Sequence, residues 1–181
     1  MGVEEEFLLV GSASARPVPT SVAVAEAAGD VDVQLELTKP QVETNSPVCH
    51  DSAELKEQLT RIRSALAEAA ARTGARVLAV GAPLSGEAEQ LVTDKPRYQQ
   101  MEDRYGLLAR EQAVCGCHVH IEVPDRQAAV QVSNHLRPWM PTLLALTANS
   151  PIYLGRDTGF ASWRSVMWSR WPCSGPPPYF E

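Results

Sequence analysis

The stretch that decides the fold is GVEEEFLLV, residues 2–10, at the start of the chain. Successive side chains of an extended strand point to opposite faces, so Glu4 and Glu6 share one face and Glu5 lies on the other. The continuation Phe7–Val10 is apolar throughout, which predicts that the end of the strand is buried on both sides. The stretch is therefore interpreted as a buried strand that carries two carboxylates on one face.

These two carboxylates would lie about 7 Å apart, because a strand rises about 3.4 Å per residue. Like charges that close repel each other unless a cation binds between them or water solvates both. A solvated acidic edge is the alternative interpretation of such a start. The apolar continuation of the strand favours a site that holds a cation.

A second acidic region is VDVQLELTKPQVETNSPV, residues 31–48, which contains Glu36 and Glu43 among alternating apolar residues. Pro40 cannot donate to a central ladder, so the region is predicted to form two strands or one bent strand. Seven residues separate the two glutamates, and an odd spacing puts them on opposite faces of one continuous strand. A common site therefore requires the break at Pro40 to reset the register.

A third strand is predicted from CGCHVHIEV, residues 115–123, in which polar and apolar residues alternate. We expect its cysteine, valine and isoleucine face to belong to the core. His118, His120 and Glu122 occupy the opposite face, and all three are potential metal ligands. Several carboxylates together with one histidine suit a hard divalent cation such as Mg²⁺.

Zinc is the competing interpretation of the same stretch, because cysteine and histidine follow each other closely in it. On a regular strand, however, Cys115 and Cys117 point away from the two histidines. The spacing also differs from the CxxC of a zinc knuckle. Magnesium therefore remains the first choice.

The clearest helix follows Asp51, which can cap it together with Glu54, and it is expected to close at Gly74. Strands alternate with helices, and the strand faces are half polar. We therefore predict an α+β fold with a largely antiparallel sheet, helices on one side and an open face on the other. Further helices are expected at 21–28, at 95–112 with Asp94 as a possible cap, after Asp125 and within 137–151, with a short strand at 76–81 and a loop at 155–165.

The charge pattern limits the classes of partner. A formal net charge of −6 is spread along the 181 residues without a basic run, which argues against nucleic acid or an anionic membrane. No stretch approaches the ~20 apolar residues of a membrane span, and the acidic start is unlike a signal peptide. Four cysteines at mixed spacings are expected to be reduced thiols, and a cytoplasmic location is the default.

Six ordered motifs resemble the type 2 glutamate–cysteine ligases, also called carboxylate–amine ligases. They are GVEEEFLLV, QVETNSPV, CGCHVHIEVPDR, LRPWMPTLLALTANSP, GRDTGFASWRS and WSRWPCSGPPPYF. The resemblance implies a fold similar to the catalytic domain of glutamine synthetase, in which an antiparallel sheet funnel binds ATP and Mg²⁺ on its inner face. It also implies that a carboxylate is phosphorylated to an acyl phosphate, from which an amine such as that of cysteine displaces phosphate to form an amide.

The same resemblance assigns candidate roles to individual residues. The implied metal ligands are Glu4, Glu6, Glu36, Glu43 and His118. His118 and His120 are also the implied contacts to ATP or substrate. Arg156 and Arg164 offer planar forks for a carboxylate or phosphate and are the candidate catalytic residues. A surface loop whose arginines pair with nearby acids is the alternative for these two.

The ligases that the chain resembles continue for about as long again after the GPPPYF motif. We therefore expect residues 1–181 to form a single domain that is the N-terminal portion of a larger ligase catalytic domain. An incomplete sheet edge leaves backbone groups unpaired, which favours a homo-oligomer or a second chain that completes the sheet. The alternative functions are a non-catalytic nucleotide-binding, metal-binding or assembly subunit and, further off, a zinc-dependent hydrolase.

Overall fold

The computed structural model describes residues 1–180 and places the first strand at the centre of a five-stranded sheet. One edge of this strand pairs with the third strand, and its other edge is shared by the fourth and fifth strands. Every pairing in the sheet is antiparallel. The strands are β1 (Gly2–Gly11), β2 (Val33–Leu35), β3 (Gln41–Asn45), β4 (Ala75–Leu78) and β5 (Cys117–His120).

Two helices, α1 (Ser21–Ala27) and α2 (Ser52–Arg72), cover one face of the sheet. The main core lies between them and the sheet, where Phe7 and Leu9 of β1 pack with Leu66 of α2. The sheet face that carries Glu4 and Glu6 is left open as the floor of a cleft. The α+β class, with an antiparallel sheet and helices on its outer face, is thereby confirmed.

The remaining elements extend to the C-terminal end of the described residues, and three of their helices contribute residues to the lining of the cleft. Among residues 1–180, no helix is both long and apolar enough to cross a membrane. The elements outside the five-stranded sheet and beyond α2 are α3 (Pro96–Tyr105), α4 (Leu107–Arg110), α5 (Arg126–Leu136), a 3₁₀ turn (Arg137–Trp139), α6 (Met140–Thr147), the hairpin β6 (Ile152–Tyr153) and β7 (Arg156–Asp157), and α7 (Trp163–Trp168).

The cap predicted for α2 is confirmed. The Asp51 carboxylate accepts hydrogen bonds at 2.8 Å from the backbone N–H groups of Ala53 and Glu54. The Glu54 carboxylate in turn accepts one at 2.8 Å from the N–H of His50. Gly74 beyond the helix has a φ of 76°, which glycine adopts without steric cost. Both ends of the helix therefore follow from local sequence.

The helix predicted over 95–112 is wrong as a single element. It is divided into α3 and α4 at Gly106, whose φ of 52° interrupts the helical backbone. Asp94 does not cap α3, since Lys95 occupies the N-cap position without a side-chain cap bond. The Asp94 carboxylate instead accepts a hydrogen bond from Lys39 Nζ at 2.9 Å. Asp94 therefore forms an ion pair with a residue far away in the sequence instead of the expected local cap.

The strand predicted over 115–123 is shorter than expected, and of the residues predicted to form its core face only Cys115, which precedes the strand, is buried. Only Cys117–His120 is extended in the ladder, and all four residues are exposed. Val119 is 63% exposed, and Ile121 just beyond the strand is 62% exposed. Among the described strands β5 pairs only with β1, and the exposure of Val119 and Ile121 shows that no element within residues 1–180 covers this side of it.

Candidate functional site

Glu4, His118 and His120 form the first group of potential metal ligands, with one ligand atom of each within 4.8 Å of the others. Glu4 of β1 and His118 of β5 are direct partners across the ladder. Glu4 Oε2 lies 3.0 Å from His118 Nδ1 and 3.1 Å from His120 Nε2. The hydrogen bonds from His118 and then His120 lower the pKa of the Glu4 carboxyl below its usual value.

Glu6, Glu36 and Glu43 form the second group, again within 4.8 Å of one another. Glu6 and Glu43 are direct partners across the β1–β3 ladder, and Glu36 follows the end of β2. The break between β2 and β3 includes Pro40, so Glu36 and Glu43 are not on one continuous strand. The reset of register that a common site requires is therefore present.

The second group is electrostatically unfavourable as a set of bare carboxylates. Burial, followed by the charges of Glu36, Glu4 and Glu6, raises the pKa of the Glu43 carboxyl to about 7. Burial also raises the pKa of Glu6, against a hydrogen bond from Gly116 that lowers it. Three oxygen donors with this mutual repulsion fit a hard divalent cation, because its charge would relieve the repulsion.

Gly116 lies at the junction of the two groups, and no sequence pattern indicated its role beyond its place before His118. Its N–H donates to Glu6 Oε2 at 2.7 Å, and its carbonyl accepts from the Glu6 N–H at 3.0 Å. A Cβ at this position would lie 3.1 Å from both Arg164 NH2 and His118 Nε2, and 3.5 Å from Glu6 Oε1. A residue with a Cβ would therefore require the Arg164 and His118 side chains to shift by a few tenths of an ångström, whereas Glu6 would remain in ordinary contact.

Arg164 is held beside the carboxylates by bonds to neighbouring backbone and side chains. Its Nε donates to the carbonyl of Cys115 at 2.7 Å, and its backbone N–H donates to Ser150 Oγ at 3.0 Å. Its guanidinium carbon lies 5.8 Å from the centre of the Trp168 ring. Trp168 thus supports the planar fork from one side, and the rest of the guanidinium is available to an anion in the cleft.

Arg156 occupies a different place from the other candidates. It lies in β7 of the small hairpin, is exposed, and does not contribute to the lining of the cleft. Of the two arginines of GRDTGFASWRS, Arg164 is therefore the one that lines the cleft among the described residues. The role expected of Arg156 remains a prediction.

The cleft has a volume of about 1030 Å³, at the upper end of the range for small-molecule sites. Glu6, Glu36 and His118 line it on the sheet side. Arg97 and Tyr98 of α3 contribute a further wall that motif spacing did not reveal. Tyr98 donates to the carbonyl of Leu35 at 3.1 Å, and burial raises its pKa to about 12.

The cysteines of CGCHVH are not part of either ligand group within residues 1–180. Cys115 is buried, with its Sγ 3.6 Å from Gln41 Nε2, and burial raises its pKa to about 12. Cys117 is the ladder partner of Glu5, on the face opposite His118. The predicted alternation therefore holds for Cys117, whereas Cys115, which precedes the regular strand, packs with Leu8 and Val10 and lines the cleft on the side of Glu6.

Comparison with known proteins gives the class of the protein. The profile of glutamate–cysteine ligase family 2 (GCS2) matches residues 1–181. The chain therefore belongs to this family, as the motifs indicated.

Individual relatives align with the whole length of this chain. A protein of Mycolicibacterium vanbaalenii named "Putative glutamate--cysteine ligase 2-2" is 58% identical over 183 residues, which cover 100% of this chain and 50% of the relative. A similarly named protein of Nocardia farcinica is 54% identical and is covered to 48% of its length. The chain thus spans about half the length of the curated relatives it matches.

A solved structure supports the fold independently. The crystal structure of a bifunctional glutathione synthetase from Pasteurella multocida superposes with a TM-score of 0.62 at 19% identity. The match covers 91% of this chain and 26% of that protein. At this level of identity the likeness establishes the fold, and the chemistry has to be argued from the site.

Proposed function

We propose that the chain provides the cation-binding and phosphate-binding part of an ATP-dependent carboxylate–amine ligase of the glutamate–cysteine type. The observation that carries the proposal is the convergence of Glu6, Glu36 and Glu43 to within 4.8 Å of one another, beside a cleft that Glu6, Glu36 and Arg164 line. Phosphoryl transfer requires neutralisation of charge on phosphate oxygens more than a protein nucleophile. The cleft offers acidic ligands and the cationic guanidinium of Arg164, and the proposed chemistry requires no nucleophilic side chain.

The proposed reaction has two steps. An oxygen of the amino-acid carboxylate attacks the γ-phosphorus of ATP, so that an acyl phosphate forms and ADP leaves. The nitrogen of the amine then attacks the acyl carbon, a C–N bond forms, phosphate leaves, and the nitrogen gives up a proton. Bound Mg²⁺ would supply charge neutralisation at the phosphate oxygens in the first step.

Glu6, Glu36 and Glu43 would hold one such cation, and Glu4 with His118 would hold another or contact a phosphate. His118 presents Nδ1 to Glu4, while its Nε2 lies on the side of Gly116 and Arg164. It therefore connects the two ligand groups. His120 shares the Glu4 carboxylate and lies toward the outer end of β5, where a nucleotide or substrate contact is proposed.

Arg164 would bind the anion that is transferred or attacked. Its Nε is already bonded to the Cys115 carbonyl, which fixes the plane of the guanidinium. The remaining N–H donors can contact a carboxylate or acyl phosphate in bidentate geometry. Arg156 is retained as a proposed catalytic residue, to be compared with Arg164.

Isothermal titration with Mg²⁺ and ATP tests the proposal directly. We expect magnesium-dependent nucleotide binding that is weakened in Glu6→Gln, which removes a charge and keeps the shape of the side chain. Glu87→Gln is the matched control, because Glu87 is exposed and pairs with Arg16 outside the cleft. No magnesium-dependent nucleotide binding, either alone or with a supplied C-terminal half, would overturn the proposal.

Elemental analysis and a turnover assay address the two alternatives. Zinc copurifying with the chain at one equivalent, bound through Glu4 and the histidines, would favour a zinc-dependent hydrolase. Nucleotide binding without release of ADP, even when the C-terminal half is supplied, would favour a non-catalytic subunit. The four cysteines are free in the described structure, in keeping with the proposed cytoplasmic location.

Completion of the domain is a further part of the proposal. α5 and α6 contain no buried residue, and apolar side chains of β5 and α6 are exposed. We define this open apolar set as Val119, Ile121, Leu143, Leu144 and Leu146. Since the chain spans about half of its relatives, we propose that a polypeptide equivalent to their second half covers this set and pairs with β5.

Mixing the chain with the separately produced second half of the Mycolicibacterium vanbaalenii relative tests this assembly by light scattering. A one-to-one complex is expected, and Leu146→Asp, at a side chain that is 77% exposed, should weaken it. Val22→Asp is the control, because Val22 is 54% exposed but lies on α1. A homodimer that buries the open apolar set and excludes the second half would contradict the assignment.

A further inference from the structure

Glu5 is the member of the EEE run that belongs to neither ligand group. It lies on the face of β1 opposite Glu4 and Glu6 and is only 6% exposed. Its ladder partners are Thr44 in β3 and Cys117 in β5, so strands flank it on both sides. A carboxylate so far removed from water is unfavourable unless its oxygens are paired.

Arg63 of α2 supplies that pairing in bidentate form. Its Nε donates to Glu5 Oε2 at 2.8 Å, and its NH2 group donates to Glu5 Oε1. Arg63 follows the buried Ile62 and precedes the buried Leu66 on a helix whose start is capped by Asp51. The guanidinium therefore projects from a helix that is itself fixed against the sheet.

The pair constrains the neighbouring residues through the geometry of the strand. Adjacent side chains point in opposite directions, so a rotation of β1 that displaces Glu4 or Glu6 must also displace Glu5. Val3 and Phe7 are buried on the Glu5 face as well, but hydrophobic burial is non-directional and constrains such a rotation less tightly than directional hydrogen bonds do. A two-bond fork to a rigid guanidinium does not tolerate it.

We propose that the Glu5–Arg63 ion pair is a positioning element that sets the orientation of Glu4 and Glu6 on the open face of the sheet. Net stabilisation of the fold is not the main effect expected, because Glu5 is desolvated while the Arg63 side chain is 53% exposed, so solvent screens the attraction that would offset the cost of burying the carboxylate. The inference rests on the proposed function only insofar as the oriented carboxylates are cation ligands.

Nitrogen NMR of the imidazoles tests the positioning in the absence of any metal. His118 Nδ1 lies 3.0 Å from Glu4 Oε2, so its ¹⁵N resonance reports on the direction of Glu4. Arg63→Lys keeps the charge but cannot form the fork, and Glu5→Leu/Arg63→Met replaces the pair with apolar side chains. We expect both variants to melt close to wild type and to shift the His118 Nδ1 resonance.

Arg61→Met is the matched control, because Arg61 lies on the same helix and, among residues 1–180, its side chain bonds to the nearby Gln58. It should leave the imidazole spectrum unchanged. Should the apolar double variant fail to fold, Arg63→Lys still gives the answer. A folded Arg63→Lys variant with a wild-type His118 resonance would overturn the positioning role.

Manganese binding, followed by electron paramagnetic resonance, adds a second readout. Residues that orient metal ligands typically change metal affinity by 10–100-fold, so we expect about tenfold weaker Mn²⁺ binding in Arg63→Lys. If wild type binds no Mn²⁺ but the imidazole resonance still shifts in the variants, the proposed function fails and the positioning stands. Wild-type Mn²⁺ affinity in a folded Arg63→Lys variant would overturn the positioning role.

Discussion

Glu6 and Glu43 are direct partners across the β1–β3 ladder, and a carboxylate oxygen of Glu36 lies within 4.8 Å of one oxygen of each. Two carboxylates in opposed ladder positions destabilise a sheet unless a proton or a cation lies between them. The pH response of this pair and its response to divalent cations therefore report on the site directly.

Glu43 should make the metal-free protein less stable as the pH rises. Its carboxyl has a pKa of about 7 in the folded chain against 4.5 for an ordinary glutamate, so the folded state binds more protons in this window. The free energy of unfolding then falls as the pH rises through the window. With EDTA present, we expect the melting temperature to fall by about 2–4 °C between about pH 5 and pH 7.5, equivalent to about 1 kcal/mol after screening.

Glu43→Gln has no proton to lose and should flatten this slope, with higher stability than wild type near pH 7.5. Excess Mg²⁺ should flatten it in wild type as well, because the cation replaces the proton. Differential scanning calorimetry measures all three cases. A slope of equal size in Glu43→Gln would show that other groups cause it.

Gly116→Ala should impair ligand binding more than folding. The added Cβ would meet the Arg164 guanidinium and His118 Nε2 at 3.1 Å, closer than ordinary contacts, and both side chains would have to move. We expect about tenfold weaker binding of Mg²⁺ and ATP, which corresponds to about 1.4 kcal/mol. Gly2→Ala is the control, because its Cβ would meet only Ser46 Oγ at 3.7 Å. Equal affinities in the two variants would refute a close arrangement at Gly116.

Arg164→Gln should reduce affinity for the anionic ligand by at least about tenfold, since hydrogen bonds to charged groups are typically worth 1.5–3 kcal/mol. Titration of ATP with Mg²⁺, and of the amino-acid substrate in the completed enzyme, measures the loss. Arg156→Gln is compared in parallel, because its side chain lies outside the cleft lining. A larger loss in Arg156→Gln would reverse the relative importance of the two arginines.

Asp51→Ala should destabilise the whole chain, because the Asp51 carboxylate caps the helix that covers the main core. Loss of such a cap typically costs about 1 kcal/mol, which lowers the melting temperature by about 2–4 °C. Asp125→Ala removes the equivalent cap of α5, which has no buried residue, and should change the melting temperature less. Similar shifts in the two variants would indicate that α5 unfolds together with the core.

The sequence by itself determined the elements whose signals are local. Alternation in GVEEEFLLV predicts β1 and the shared face of Glu4 and Glu6, because side-chain direction in a strand is a property of the backbone. The capping residues around Asp51 likewise predict the start of α2. The motif order pointed to the family before any contact was known.

Tertiary structure decided what depends on partners distant in the chain. It brought Glu36 and Glu43 together across the break at Pro40, joined Glu5 to Arg63, and placed Gly116 between Glu6 and His118. It also left the apolar face of β5 exposed, although the alternation had predicted core. An alternating pattern fixes which side chains share a face, whereas burial depends on whether another layer packs against that face.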